Sequence, residues 1–209
     1  MASKRKLTVF ELDAIREMAA VGAGHSSTAL SELAKKQVIV SFPSVSFYKI
    51  EEIPSLIGKP YELVTTVILR IEGKHQAKRF PVGEMLLIFV EKSALDFTNL
   101  LWNRENKKLD ESDLDALKET GNILSGACLS ALTEYLDFKM VESMPGAATD
   151  MLGSTMDSTL ANLAVKTDEA LVFMTDFKIS GHDIKSYFLI LFDPTVLEVL
   201  VKKIKEKSQ

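Results

Sequence analysis

Apolar residues recur every three or four positions near the start of the chain. Leu12, Ile15 and Met18 follow Thr8, a residue suited to cap a helix, and this period predicts a helix over residues 8–34. Two glycines inside that stretch weaken a helix by about 1 kcal/mol each unless they allow close packing. A long amphipathic helix is therefore predicted to open the chain.

Short runs of β-branched and aromatic residues follow. Strands are predicted at residues 38–42, 45–50, 63–71 and 81–91, and helices at residues 51–57 and 93–102. Pro43 is interpreted as the end of the first strand, because proline cannot donate a ladder hydrogen bond. A polar loop from Gly73 to His75 is predicted to join the last two strands, and Ser93 to cap the helix after them. The charged segment 103–111 is predicted to connect two halves of the chain.

The second half of the chain repeats the first at an offset of 102 residues. The identical residues of the first copy are Leu12, Asp13, Ala14, Glu17, Gly24, Ala29, Leu30, Glu32, Ser41 and Pro43, and they match Leu114, Asp115, Ala116, Glu119, Gly126, Ala131, Leu132, Glu134, Ser143 and Pro145. We interpret this match as an internal duplication. Each half then reads as helix, strand, helix, strand, strand and helix, with a longer helix at residues 147–163 in place of the short one.

The duplication predicts how the halves are arranged. We expect a single domain over residues 1–209, with repeat 1 at about 8–103 and repeat 2 at about 110–206. The predicted fold class is α/β of the α+β kind, with two halves related by a pseudo-two-fold axis. Helices are expected to pack on one continuous, mainly antiparallel sheet.

Composition excludes several classes of function. The net charge of −4, without a basic aromatic stripe, argues against nucleic acid as the main partner. The longest apolar runs fall far short of the roughly 20 residues that span a bilayer, so we expect a soluble protein without membrane insertion. The single cysteine cannot form an intrachain disulfide, which favours a cytoplasmic location. Three scattered histidines and one cysteine lack metal-ligand spacing, so no metal or cofactor of its own is expected. Cys128 is interpreted as a small buried hydrophobe, and Gly24 and Gly126 as points of close helix packing.

A stripe of polar residues marks the helix of the second copy. Asp115, Glu119 and Asn122 stand at i, i+4 and i+7, so their side chains line one face of a helix. A solvated polar stripe would explain one such trio. The first copy repeats the spacing with Asp13 and Glu17, which favours a functional face.

The two copies differ at one position of this motif. Ala20 stands where Asn122 stands in the second copy. The proline that follows is kept, because 22 residues separate Asn122 from Pro145 and 22 separate Ala20 from Pro43.

The spacing Asp-x3-Glu-x2-Asn-x22-Pro resembles that of the CheC phosphatases of bacterial and archaeal chemotaxis, relatives of CheX and of the phosphatase region of FliY. The resemblance covers nearly the whole chain. It implies a protein phosphatase that hydrolyses the aspartyl phosphate of a response regulator, phospho-CheY, and a Mg2+ ion held by that regulator.

The resemblance implies roles for the residues of the second motif. Asn122 would orient the attacking water through its amide, and Glu119 would contact the regulator's active-site lysine. Asp115 and Pro145 would support this motif. We expect the first motif, with Asp13, Glu17, Ala20 and Pro43, to be degenerate, and either inactive or used for binding only.

The resemblance also implies a second partner, the receptor deamidase CheD, which would meet the predicted helix after the second motif. Asp150 and Met151 are the expected contacts, although an ordinary amphipathic helix is an equal alternative for this segment. Two other functions stay open at this point. One is an adaptor that binds CheD or phospho-CheY with little turnover, and the other is a structural part of the flagellar switch.

Overall fold

The computed structural model describes residues 8–75, 78–136, 138–164 and 169–193, together with residues 199, 202 and 206. The helices in this part of the chain are α1 Val9–Ala34, α2 Ile53–Ile57, α3 Glu91–Trp102, α4 Glu111–Leu136 and α5 Leu152–Ala164, and a 3-10 turn, Ile50–Glu52, precedes α2. The strands are β1 Val38–Lys49, β2 Leu63–His75, β3 Lys78–Val90, β4 Met140–Glu142, β5 Gly146–Met151, β6 Glu169–Ile179 and β7 His182–Phe192. The final helix predicted for repeat 2 lies outside the described residues, apart from isolated positions.

The strands form one seven-stranded sheet in the order β1-β6-β7-β3-β2-β4, and β5 also pairs with β2. Every pairing is antiparallel. The predicted continuous antiparallel sheet is therefore confirmed. A pseudo-two-fold axis between β3 and β7 would exchange β3 with β7, β2 with β6, and β1 with β4 and β5. The strand order is compatible with such an axis, because this exchange leaves the order unchanged. The duplication itself stays a prediction from the sequence.

Side chains alternate between two cores because successive residues of a strand face opposite sides of the sheet. On β3, Met85 and Leu87 join the larger core, and Leu86 and Ile88 join the smaller one. The larger core lies under α1, α3 and α4, with fully buried residues such as Leu30, Phe97 and Leu117. The smaller core lies under α2 and α5. The long helices α1 and α4 thus share one face of the sheet.

Several predicted element boundaries are wrong. Residues 146–151 form strand β5 rather than the start of a helix, because they pair with the free edge of β2 from Leu63 to Ile68. Gly73 and His75 belong to β2, which extends past the predicted loop. Ser93 lies inside α3, whose N-cap is Val90. In each case strand pairing or tertiary packing outweighs the secondary-structure preference of the short sequence segment.

Pro43 does not end its strand. β1 continues from Val38 to Lys49, and its register against β6 shifts between Ser41 and Ser44. Proline is tolerated there because β1 is an edge strand and a bulge needs no N–H from the extra residue. Within the described residues, no helix combines the length and the apolar character needed to cross a membrane.

Candidate active site on the second long helix

The N-terminus of α4 is held by a reciprocal capping pair. The Asp113 N–H donates to Asp110 Oδ1 at 2.9 Å, and the Asp110 N–H donates to Asp113 Oδ2 at 3.1 Å. Two of the backbone donors that a helix start leaves unpaired are satisfied in this way. The motif of α4 begins only two residues after Asp113, so this pair fixes the point from which the motif is presented.

The same aspartate ties α4 to the end of α3. The Asp113 side chain is fully buried, and Arg104 Nη1 lies 3.7 Å from its Oδ1, which makes an ion pair rather than a hydrogen bond. Asn106 donates to Asp113 Oδ2 at 3.1 Å and exchanges two hydrogen bonds with Asn99 of α3. A carboxylate is costly to bury unless it is paired and hydrogen-bonded, and this network supplies both.

Close packing of α4 on the sheet depends on Gly121, which immediately precedes Asn122. A Cβ at Gly121 would lie 2.7 Å from Val67 Cγ1 on β2. The contact between α1 and α4 depends on Gly22, whose added Cβ would lie 3.3 Å from the Cα of Cys128. Gly121 therefore allows α4 to lie close to β2, and Gly22 allows α1 to lie close to α4.

The predicted packing role of Gly24 is wrong. A Cβ at Gly24 would meet nothing within 4 Å, and Gly24 is exposed. A Cβ at Gly126 would meet one side-chain atom, Glu142 Oε1, at 3.1 Å, and no neighbouring helix. Both glycines lie on the polar stripe, because they follow the motif positions Ala20 and Asn122 by one turn.

The polar stripe of α4 faces outward. Asp115 is exposed and accepts a hydrogen bond from Lys118 Nζ at 2.7 Å. Glu119 is exposed and Asn122 is partly buried. Among the described residues, neither of these two side chains has a hydrogen-bond or ion-pair partner. Both groups are thus available to a molecule that docks on this face.

The first copy presents the same arrangement without the amide. On α1, Arg16 Nη1 donates to Asp13 Oδ1 at 3.1 Å, at the position equivalent to the Lys118 contact. Glu17 and Ala20 are both exposed. The structure therefore puts a methyl group and a carboxylate on the outward face of α1.

The two motif prolines lie in different settings. Pro43 is at the bulge of β1, and Pro145 lies in the short connection between β4 and β5. That connection is fixed to β2, since the Ser143 N–H donates to the Arg70 carbonyl at 2.9 Å and the Arg70 N–H donates to Ser143 Oγ at 3.0 Å. Met144 projects from it with 90% of its surface exposed. Neither proline offers a reactive group.

The residues predicted to meet CheD lie at the junction of β5 and α5. Asp150 is exposed, but its carboxylate accepts hydrogen bonds from its own neighbour's N–H at 2.7 Å and from Ser154 Oγ at 2.9 Å. Met151 is 53% exposed and pairs with Leu63, which is 40% exposed. Tyr61 adds a third exposed apolar side chain close by in sequence. The structure thus shows an exposed apolar patch, formed by the paired residues Leu63 and Met151, beside a carboxylate that already has partners.

Cys128 fits its prediction. It is buried on α4, and burial raises the pKa of its thiol to about 12. A thiol that stays protonated at neutral pH is a poor nucleophile. It lines a small apolar cavity together with Met18 of α1 and Phe173 of β6.

Sequence reasoning missed three residues that shape this site: Asp113, Gly121 and Glu142. The pattern Asp110-x-x-Asp113 before an apolar run was a detectable capping signal. No sequence signal marks Gly121 as the contact with β2 or brings Glu142 to α4, because both depend on how the helix sits on the sheet.

Known proteins were found that are similar to this chain in sequence or in fold. No family model matches the chain. The CheY-P phosphatase CheC of Bacillus subtilis (strain 168) is 27% identical over 197 residues, which cover 91% of each chain. The flagellar motor switch phosphatase FliY of the same organism is 27% identical over 143 residues, which are 66% of this chain but 35% of that protein.

Solved structures share the fold. FliY from Thermotoga maritima superposes with a TM-score of 0.73 at 20% identity, covering 97% of this chain and 100% of the other. The FliM middle domain from H. pylori gives a TM-score of 0.59 at 13% identity, covering 94% and 99%. The chain is thus similar in sequence to CheC over nearly the full length of both proteins, and it shares its fold with FliY.

Proposed function

We propose that this protein hydrolyses the aspartyl phosphate of a CheY-type response regulator, using the outward face of α4. The observation that carries the proposal is the pair of unpartnered polar groups, Glu119 and Asn122, on adjacent turns of a helix held rigidly at its start and its middle. The relative CheC of Bacillus subtilis, which is named a CheY-P phosphatase, supports the choice of substrate.

The chemistry asks little of the protein beyond positioning. In-line attack on a phosphoryl group needs a water held opposite the leaving oxygen, and the charge on the phosphoryl oxygens needs a cation. Asn122 can accept a hydrogen bond from that water through Oδ1, which leaves its amide hydrogens for a second contact. Asparagine is not a base, so its contribution is orientation of the water. We expect the regulator to supply the Mg2+ ion.

Glu119 serves docking. A carboxylate one turn before Asn122 can bind the ammonium group of a lysine beside the regulator's phosphoryl group, through a charge-assisted hydrogen bond. Asp115 forms an exposed ion pair with Lys118, and we assign it no contact with the reacting atoms.

We assign hydrolysis to the α4 face alone. On α1 the exposed Ala20 offers no amide to hold a water, although Glu17 is exposed like Glu119. The α1 face would thus bind a regulator without turning it over, or remain unused.

The test is phosphate release from phosphorylated regulator present in excess over this protein. Asn122→Ala should lower kcat by about 100-fold, the usual cost of losing one positioned polar group, which corresponds to about 3 kcal/mol. Glu119→Ala should mainly raise KM. Glu17→Ala is the matched control, since it removes the equivalent carboxylate from the degenerate face. Equal losses from Glu17→Ala and Glu119→Ala would refute the assignment to α4.

A second function, an adaptor for CheD with little turnover, is favoured by the exposed apolar patch of Leu63 and Met151. A partner that covers this patch would bury Met151 and meet Asp150 at its edge. Met151→Glu should then abolish CheD binding and leave phosphate release intact. Tight binding of phosphorylated regulator by a protein that releases no phosphate would make the adaptor the main function.

A further inference from the structure

A carboxylate outside the motif lies against the motif face of α4. Glu142 ends strand β4, and its Oε1 is 3.1 Å from the position that a Cβ would take at Gly126. Gly126 follows Asn122 by one helical turn on the same face. Because helical side chains lean toward the helix N-terminus, a group at the Cβ position of residue 126 covers the turn that carries Asn122.

The position of Glu142 is set by the sheet. Glu142 pairs with Ile71 of β2, and the next residue, Ser143, exchanges two hydrogen bonds with the backbone of Arg70. The side chain is partly buried, and no hydrogen bond or ion pair to it occurs within the described part of the chain. A carboxylate is thus held beside the motif while its charge is left unpaired.

The first copy has no equivalent. The position that corresponds to Glu142 is Val40, which is 5% exposed and belongs to the larger core. Gly24, which corresponds to Gly126, has open space above it. The carboxylate is therefore present only on the face that carries the asparagine.

A carboxylate near a site for a phosphoryl group repels that group unless a cation lies close to it. Lys118, the described cation on this stretch of α4, is already paired with Asp115. Because no ion pair to Glu142 occurs among the described residues of any element, we assign its cation to the docked molecule. Building on the proposed function, we propose that Glu142 binds a basic side chain of the response regulator and so determines which regulator docks on α4.

Steady-state kinetics of phosphate release test this role. Glu142→Gln keeps the shape and removes the charge, so KM for the phosphorylated regulator should rise about tenfold while kcat stays within twofold. The KM of the wild type should also rise more steeply with NaCl than that of the variant, because one charge pair is missing in the variant. Glu134→Gln removes an exposed carboxylate from α4, outside the motif, so it controls for net charge and should leave KM unchanged.

A second pair of variants tests the position of the carboxylate. Gly126→Ala places a methyl group 3.1 Å from Glu142 Oε1 and should raise KM severalfold by displacing it, whereas Gly24→Ala should not change KM. A KM unchanged by Glu142→Gln or by Gly126→Ala overturns the inference. A fall in kcat at constant KM, or recovery of KM at raised magnesium concentration, also overturns it, since the group would then act on the reaction or on the metal ion.

Failure of the proposed phosphatase function can be distinguished from failure of the role proposed for Glu142. If the wild type releases no phosphate, the phosphatase proposal fails, and Glu142 is judged by the affinity for a regulator loaded with beryllofluoride. A tenfold weaker affinity of Glu142→Gln supports its contact with a basic side chain, and an equal affinity overturns it.

Discussion

Replacing Gly121 by alanine should displace the motif of α4 and lower kcat strongly, while the fold loses little stability. The added Cβ would lie 2.7 Å from Val67 Cγ1 and 3.3 Å from Val67 Cβ, whereas non-bonded carbon atoms pack best at about 3.5–4.0 Å. Val67 is fully buried and β-branched, so it cannot turn away easily. The helix must therefore rise from β2 by roughly 1 Å, a shift that overpacked cores accommodate only at a cost.

The size of the effect follows from two opposing contributions. Overpacking costs about 1–3 kcal/mol, and alanine is better than glycine in a helix by about 1 kcal/mol. Gly121→Ala should then lower the free energy of unfolding by up to about 2 kcal/mol. Gly24→Ala, where the new Cβ meets nothing within 4 Å, should raise it by about 1 kcal/mol. Urea denaturation of the two variants measures this difference in sign.

The effect on activity should exceed the effect on stability. Asn122 follows Gly121 directly, and a displacement of about 1 Å in a positioning group can cost about 100-fold in rate. We expect Gly121→Ala to lose much of kcat while remaining folded, and the double variant Gly121→Ala/Val67→Ala to recover part of it, because Val67→Ala removes the obstructing methyl. A Gly121→Ala protein more stable than wild type, with full kcat, would refute this view of the helix contact.

Three further predictions concern the motif positions of the two long helices, the capping pair of α4 and the buried cysteine. Ala20→Asn, introduced together with Asn122→Ala, should raise phosphate release at least tenfold above Asn122→Ala alone if the α1 face docks a regulator; no gain would show that this face is unused. Asp113→Ala should lower the free energy of unfolding by about 2 kcal/mol, because it removes one half of the helix capping pair and the acceptor of the hydrogen bond from Asn106, and urea denaturation would show it. The pKa of Cys128 is raised from 9.0 to about 12, so the unfolded chain loses this proton first as pH rises. Stability should therefore fall by about 1.4 kcal/mol more between pH 8 and pH 10 in the wild type than in Cys128→Ala.

The long helices and the sheet were predictable because their patterns are long and repeated. The apolar period of α1 continues over its full length, and the same residues return in α4, so the two signals support each other. Strand β5 was not predictable in the same way. Its sequence, Gly-Ala-Ala-Thr-Asp-Met, has no alternation of apolar and polar residues, and its extended form comes from pairing with β2.

The motif was predictable, but its surroundings were not. Spacing along a helix determines which residues share a face, and Asp115, Glu119 and Asn122 do face outward together. The packing glycines were assigned wrongly because Gly22 and Gly24 are separated by about 200° around the helix, so a choice between them needs the direction of the neighbouring helix. Glu142 is 20 residues from Asn122, and only the pairing of β4 with β2 brings it to α4.

The exposure of Ala20 has a consequence for how such proteins evolve. Its side chain takes no part in the core, and the structural contacts of that stretch of α1 are made by Gly22 and Ala19 instead. An asparagine could be lost from this position, or return to it, with little change in the stability of the fold. Under the proposed function, a change of one codon would thus switch the chemistry of a long helix, while selection on its buried side preserves the fold.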